Sequence, residues 1–193
     1  PEIGGFDLCE KFLEHAKGYD LEVLQTEAEK VEPGTDSHTV HLSDGTLLQG
    51  HAVILATGGT ARSLNVPGEH EYFGQGVSYC ATCDGFFFRD QVVTVVGGGD
   101  TALEDALYLS KIAQKVYLVH RRDAFRGSKI LQDQVHAEPR IETVLNAVLN
   151  EIKADENGVS GLSVKDTQTG KITELACQGV FILVGFSPNK DLV

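Results

Sequence analysis

The stretch "QVVTVVGGGDTALEDALYLSKIAQKVYLVH", residues 91 to 120, constrains the fold more than any other. An apolar, β-branched run reads as a strand, a glycine turn follows it, and a helical pattern leads into a second apolar run. Parallel strands cannot be joined by a hairpin and need a crossover, so this βαβ unit predicts an α/β architecture with a parallel sheet. Gly97, Gly99 and Ala102 fit the pattern G-x-G-x-x-A at the strand–helix junction. In that pattern Gly97 permits the tight turn, Gly99 lets a pyrophosphate approach the backbone, and Ala102 lets helix pack close to strand. The free N–H groups at the helix start then face the phosphates. A dinucleotide site is expected here.

The end of the second strand selects the dinucleotide. An NAD site usually carries an acid there, bonded to the ribose 2′-hydroxyl. This chain has His120, Arg121 and Arg122, with Arg126 one helical turn further on. Forked guanidinium groups suit a 2′-phosphate, so the expected cofactor is NADPH. His120 could stack on adenine, touch the phosphate or be structural. The net charge of −12 makes this basic cluster stand out. It also argues against nucleic acid as a partner, because a protein this acidic repels phosphate backbones.

"YCATCDGFFF", residues 79 to 88, places Cys80 and Cys83 three positions apart with Asp84 directly after. A structural zinc site needs four ligands, and the other cysteines, Cys9 and Cys177, are distant and single. A staple enclosing two residues would remove little chain entropy. A redox pair explains more. A C-x-x-C motif lowers the pKa of one thiol, and the pair cycles through a mixed disulfide with a partner. Asp84 would move the proton this cycling requires, or else cap the turn before Gly85. A hydride donor and a disulfide exchange electrons in different ways, and a flavin is the usual adaptor between them.

The 193 residues suit one large domain or two small ones. Residues 7 to 17 place Leu8, Phe12, Leu13 and Ala16 on one stripe of an amphipathic helix. "HTVHLSDGTLLQG" reads as a hairpin turning at Asp44-Gly45, and "AVILATGG" as a buried strand ending in a glycine turn. "RSLNVPGEHEYFGQG" reads as a connecting loop, and "SKILQDQVH" as a short helix. A strand-rich meander with a turn at Gly170 follows, and "GVFILVGFSPNK" is one more buried strand. No run approaches the roughly 20 apolar residues of a membrane span, and no signal peptide is expected from the N-terminus. A reducing, cytoplasmic compartment is the default expectation.

These motifs, in this order, resemble those of the low-molecular-weight thioredoxin reductases of bacteria and plants. "ATGGTARSLNVPGE" is similar to that family's A-T-G…R-x-L-x-x-P-G segment. "CATCDGFFFRDQ" resembles its redox box, "VVGGGDTALEDALYL" and "HRRDAFR" its NADPH elements, and "GVFILVGFSPN" its return strand. The resemblance implies a two-domain, flavin-dependent disulfide reductase fold of the α/β class. A Rossmann-like NADPH domain with three layers, 63–183, would be inserted into a partial FAD domain, 1–62 with 184–193. It implies electron transfer from NADPH through FAD to Cys80–Cys83 and on to thioredoxin, in a cytosolic homodimer.

By match to the motifs, Cys83 would lie nearer the flavin, Cys80 would attack the protein substrate, and Asp84 would act as general acid. Gly98, Gly99, Asp100, Thr101 and Glu104 would line the pyrophosphate and nicotinamide side, after Gly97 at the turn. Arg121, Arg122 and Arg126 would hold the 2′-phosphate beside His120. Arg62, Val184 and Gly185 map close to NADPH, and Thr57 and Gly58 to the flavin. The family's own G-x-G-x-x-G turn for FAD has no counterpart before Gly97, and the chain stops at Val193 ahead of the family's closing G-D segment. The expectation is a piece of a longer protein, with FAD assigned to the intact molecule. Two other readings stay open: an NADPH-binding module without turnover as cut, and a flavoprotein that serves a peroxiredoxin.

Overall fold

The computed structural model describes residues 3–192. The chain forms two compact units, one of the described residues up to Thr57 with those from Asn189 on, the other Gly58–Pro188.

The smaller unit opens with helix α1 (Gly5–Lys17). The helix forms as the stripe predicts, yet none of its residues is buried. An antiparallel sheet follows, of β1 (Ala28–Glu32), β2 (His38–Leu42) and β3 (Leu47–Gly50). The expected turn joins β2 to β3: Gly45 sits at φ 84°, and the Thr46 N–H donates to Asp44 Oδ1 at 2.8 Å. Val31 and Leu42 are the buried side chains of this unit among the described residues. The buried strand expected from "AVILATGG" is not found. Residues 52–58 carry no strand, and Ile54 is 91% exposed. An apolar run becomes a strand only where a neighbour takes up its N–H and C=O groups, and no ladder partner for this run occurs among the described residues.

The larger unit opens with β4 (Gly59–Ala61), which pairs antiparallel with β13 (Phe186–Pro188). Between them lie β5 (Val77–Ser78), α2 (Ala81–Asp84), a 3₁₀ turn (Gly85–Phe88), β6 (Val92–Gly97) and α3 (Asp100–Ser110). Then come β7 (Lys115–Val119), α4 (Lys129–Ala137), β8 (Ile141–Val144) and β9 (Ala147–Asp155). Strands β10 (Gly158–Asp166), β11 (Ile172–Ala176) and β12 (Gly179–Leu183) complete it. A five-stranded sheet in the order β5-β12-β6-β7-β8 forms the centre, with every ladder parallel. The meander β9, β10, β11 forms a separate antiparallel sheet.

Alternation along the strands explains the layering. Val93, Val95, Val116, Leu118, Phe181 and Leu183 enter one core with Ala102, Leu103, Ala106 and Leu109 of α3. Their neighbours Val96, Val119, Val180 and Ile182 enter a second core with Leu149, Ile152, Leu162 and Val164 of the meander. A strand buried on both faces reads as a near-continuous apolar run, which is what β6 and β12 show apart from the buried Thr94. The result is three layers: meander, parallel sheet and helices.

The loop between β4 and β5 is held by a buried acid. Glu69 is fully buried. It accepts hydrogen bonds from the Leu64 N–H at 3.0 Å, the Val66 N–H at 3.3 Å and the Tyr79 hydroxyl at 2.9 Å. Burial pushes its carboxyl up, but the bonds from Leu64, Tyr79, Ser63 and Val66 outweigh this and hold it below the usual range. A carboxyl with a folded pKa below its unfolded value contributes stability above the unfolded value, and that contribution fades as pH falls through the folded one. Replacing Glu69 by Ala leaves these part-buried donors without their acceptor and should cost about 1–3 kcal/mol. Urea midpoints taken from neutral pH downward should converge for the variant and the parent as the pH falls below about 4.5. Equal midpoints at neutral pH would show that the carboxylate holds nothing.

Candidate functional site

Ligand sites in open α/β sheets form at the carboxyl ends of the strands, because both faces are covered by other layers. Here β6 ends at Gly97, β7 runs into His120, and β12 runs into Val184. These ends border a cleft of about 670 Å³. Gly97, Gly98, Gly99, Asp100, Thr101, His120, Arg121, Arg122, Arg126, Arg62, Val184 and Gly185 all line it. Of the residues expected on the pyrophosphate and nicotinamide side, Glu104 alone does not reach it. It stands one turn further along α3, where the helix has already left the cleft.

The glycines act mainly through close approach. Gly97 does not lie in the left-handed region. A Cβ there would instead lie 2.4 Å from the Leu183 carbonyl oxygen and 2.6 Å from Ala102 Cβ. A Cβ on Gly98 would lie 2.2 Å from His120 Nδ1. Gly99 differs, because only Arg126 Nη2, at 3.6 Å, stands near the place of a Cβ. The backbone is therefore open to a ligand at Gly99. The Gly98 carbonyl accepts from the N–H groups of Arg126 and Gly127 at 2.7 and 3.1 Å. Asp100 Oδ1 accepts from the Ser128 N–H at 2.7 Å. Both contacts tie the arginine-bearing loop to the start of α3.

His120 packs its ring on Phe125, with centroids 5.5 Å apart. Burial pushes its imidazole below the usual range. Bonds with the Gly97 and Ala124 backbones pull it back up, and the charges of Arg121 and Arg122 push it down again. Its buried Nε2 has no hydrogen-bond partner among the described residues. Arg121, Arg122 and Arg126 are exposed. A phosphorylated dinucleotide fits this donor set: an open backbone at Gly99, arginines at the rim and a buried ring nitrogen without a partner.

The redox turn lies beside the cleft in the chain. Cys80 and Cys83 are joined in a disulfide, with Cα atoms 5.3 Å apart. Cys80 is half-buried and caps α2, its sulfur 3.2 Å from the Cys83 N–H. Cys83 is exposed. Ser78 donates to Asp84 Oδ2 at 2.6 Å and accepts from the Cys80 N–H at 3.0 Å. Asp84 is thus linked to the couple through one hydroxyl. Tyr79 lines the cleft and bonds to Glu69, a role the sequence reading missed. Its place immediately before Cys80 was the available signal. Arg62 donates through Nε to Ser187 Oγ at 3.1 Å and through its N–H to the Gly185 carbonyl at 3.0 Å.

In the smaller unit the Thr57 hydroxyl donates to the Asn189 carbonyl, and the Asn189 amide donates to the Thr57 carbonyl at 2.9 Å. Thr57 is thereby engaged with its own chain. Gly58, the first residue of the larger unit, is exposed with φ 70°. No metal-binding cluster of His, Cys, Asp and Glu occurs among the described residues, and none of their helices is long and apolar enough to cross a membrane.

The model of the pyridine nucleotide-disulphide oxidoreductase family matches residues 9–193. A thioredoxin reductase of Helicobacter pylori is 41% identical over 191 residues, covering 99% of this chain and 61% of that protein. A protein of Pseudomonas fluorescens named glucosaminate ammonia-lyase is 44% identical over 193 residues, covering 98% of this chain and 60% of its own. The crystal structure of Lactococcus lactis thioredoxin reductase superposes with a TM-score of 0.83 at 38% identity, over 98% of this chain and 62% of that one. The chain therefore has the fold of a two-domain flavin disulfide reductase, over about three-fifths of the length of these relatives.

Gly98→Ala tests the cleft. The added methyl must displace the His120 ring, and overpacking of this kind typically costs about 1–3 kcal/mol. Thermal melting should show that loss, and titration with a nicotinamide dinucleotide should show weakened binding. Unchanged affinity would mean that the glycine elbow does not hold the ligand.

Proposed function

We propose that this chain, which belongs to the pyridine nucleotide-disulphide oxidoreductase family, carries the NADPH site and the redox disulfide of a thioredoxin reductase. The carrying observation is the joining of two features in one unit: an arginine-rimmed cleft behind a glycine elbow, and a disulfide-bonded C-x-x-C turn next to it in the chain. In this reading residues 1–62 and 184–193 belong to the FAD domain and 63–183 to the NADPH domain. FAD joins in the intact protein, with Thr57 and Gly58 near it. When bound, NADPH supplies a hydride, and the flavin adapts hydride chemistry to the disulfide.

The chain's own groups take the following parts. Arg121, Arg122 and Arg126 grip the 2′-phosphate by charge-assisted hydrogen bonds, beside His120. The backbone of Gly97, Gly98 and Gly99, with Asp100 and Thr101, receives the pyrophosphate at the start of α3. Arg62, Val184 and Gly185 border the nicotinamide side, and Glu104 lies one turn beyond. Cys80 attacks the disulfide of thioredoxin. Its place at the helix cap, accepting the Cys83 N–H, supports that assignment because the bond strengthens on a thiolate. Cys83 resolves the mixed disulfide, and Asp84 exchanges a proton with the couple, with Ser78 holding its carboxylate. The intact protein is proposed to act as a cytoplasmic homodimer, without nucleic acid or membrane partners.

A relative named as a lyase makes the redox chemistry the point to test. In the intact protein Cys80→Ser should abolish NADPH oxidation coupled to thioredoxin reduction, measured by absorbance. Turnover that survives would remove the assignment. The cofactor preference has its own check. Arg121→Ala with Arg122→Ala should weaken NADPH binding roughly tenfold or more while leaving NADH nearly unchanged, since each lost charged contact carries that scale. Equal losses for the two cofactors would dismiss the 2′-phosphate grip.

A further inference from the structure

A single buried hydroxyl stands between the cysteine couple and its acid. Ser78 ends β5, and only 3% of it is exposed. Strand β5 pairs in parallel with β12, Ser78 opposite Phe181, so the central sheet carries the hydroxyl. Three polar atoms surround its oxygen. Asp84 Oδ2 lies at 2.6 Å, the Cys80 nitrogen at 3.0 Å and the Cys80 carbonyl oxygen at 3.2 Å. A serine hydroxyl has one proton to give and two lone pairs to offer. It therefore cannot donate to Asp84 and to Cys80 at once. While Asp84 is a carboxylate, the serine proton points at Oδ2, and 2.6 Å is the length of a charge-assisted O–H···O bond. The Cys80 N–H takes a lone pair. When Asp84 is protonated, its own O–H can donate to the serine oxygen, and the serine proton turns to the Cys80 carbonyl. The Cys80 N–H keeps its acceptor, and no heavy atom has to move. A buried polar atom left unpaired is costly, and here neither state leaves one.

We propose that Ser78 is a positioning residue for Asp84: its hydroxyl reverses between donor and acceptor, so that the acid gives up and regains a proton without leaving the cysteine turn. This rests on the reading of Asp84 as the acid of a redox-active pair given above. In the step concerned, an incoming thiolate attacks one sulfur of Cys80–Cys83 and a mixed disulfide forms. The S–S bond breaks, its electron pair stays on the other sulfur, and the Asp84 proton neutralises that thiolate. Asp84 is left as the carboxylate that Ser78 then holds, and it regains its proton from water. The Cys80 backbone stays bonded throughout, so the turn does not shift as the proton passes.

Reduction by glutathione tests this without NADPH or thioredoxin. A first glutathione makes the mixed disulfide, a second releases glutathione disulfide, and two protein thiols remain. The chain is mixed with excess glutathione, quenched in acid at intervals, alkylated and resolved by mass. Ser78→Ala should slow reduction roughly tenfold, a part of what a general acid contributes. Asp84→Asn should slow it at least as much. The combined variant decides. A serine that acts through Asp84 adds nothing once the acid is gone, whereas a serine that merely shapes the turn slows both backgrounds alike. Ser78→Thr keeps the hydroxyl and should stay near the parent, while Ser78→Val has the shape of the threonine without its hydroxyl and should match Ser78→Ala. Should Ser78→Ala lose its circular-dichroism signature, the Thr and Val pair decides in the same two backgrounds. Equal slowing in both backgrounds, or none in either, overturns the proposal. Reduction of Asp84→Asn at the parent's rate overturns the acid reading beneath it as well, and that variant shows so without any change at Ser78.

Discussion

Burial of the parallel sheet on both faces is the constraint from which the site follows. Val93 and Val95 of β6 face the helices, while Val96 faces the meander. With both faces committed to apolar packing, polar chemistry is left to the carboxyl ends of the strands. Gly97, His120 and Val184 occupy those ends. The cleft therefore follows from the layering, and the residue types at three strand ends set what it can bind.

Helix α3 carries the site one step further. Its first turn starts at the cleft, and Ala102 sits against Gly97 closely enough to forbid a side chain there. Two turns on, Leu109 packs against the turn that holds the cysteines and shares a core with Ala81. One short element thus bounds both the cleft and the disulfide. A substitution that tilts α3 would disturb the two together, whereas changes at the arginine rim would leave the couple in place.

The sequence disclosed what depends on local pattern. The βαβ unit, the hairpin at Asp44-Gly45, the helix at 129–137 and the cysteine pair are each written in a short window. It hid what depends on contacts between distant segments. Glu69 looks like a loop acid in "VPGEHE", and its burial follows from a tyrosine ten positions on. The run at 52–57 misled for the converse reason. Its composition is that of a core strand, but composition cannot supply a neighbouring strand.

Environment also sorts the cysteines, which composition treats as equals. Cys177 is fully buried, and burial pushes its thiol up to about 11, with the Thr94 hydroxyl pulling it back. A thiol held there is almost never a thiolate, so it neither attacks a disulfide nor competes for one. Cys80 has the opposite placement: it caps a helix start, accepts the Cys83 N–H and is partly open to solvent. Cys83 is exposed beside it. Cys9 is free and exposed on α1, in a unit whose sequence holds no second cysteine. A redox couple needs a stabilised thiolate, a vicinal partner and access for another sulfur. Of the four cysteines, only Cys80 and Cys83 combine these conditions, and they do so because the turn that bears them lies on α3 with one face left open.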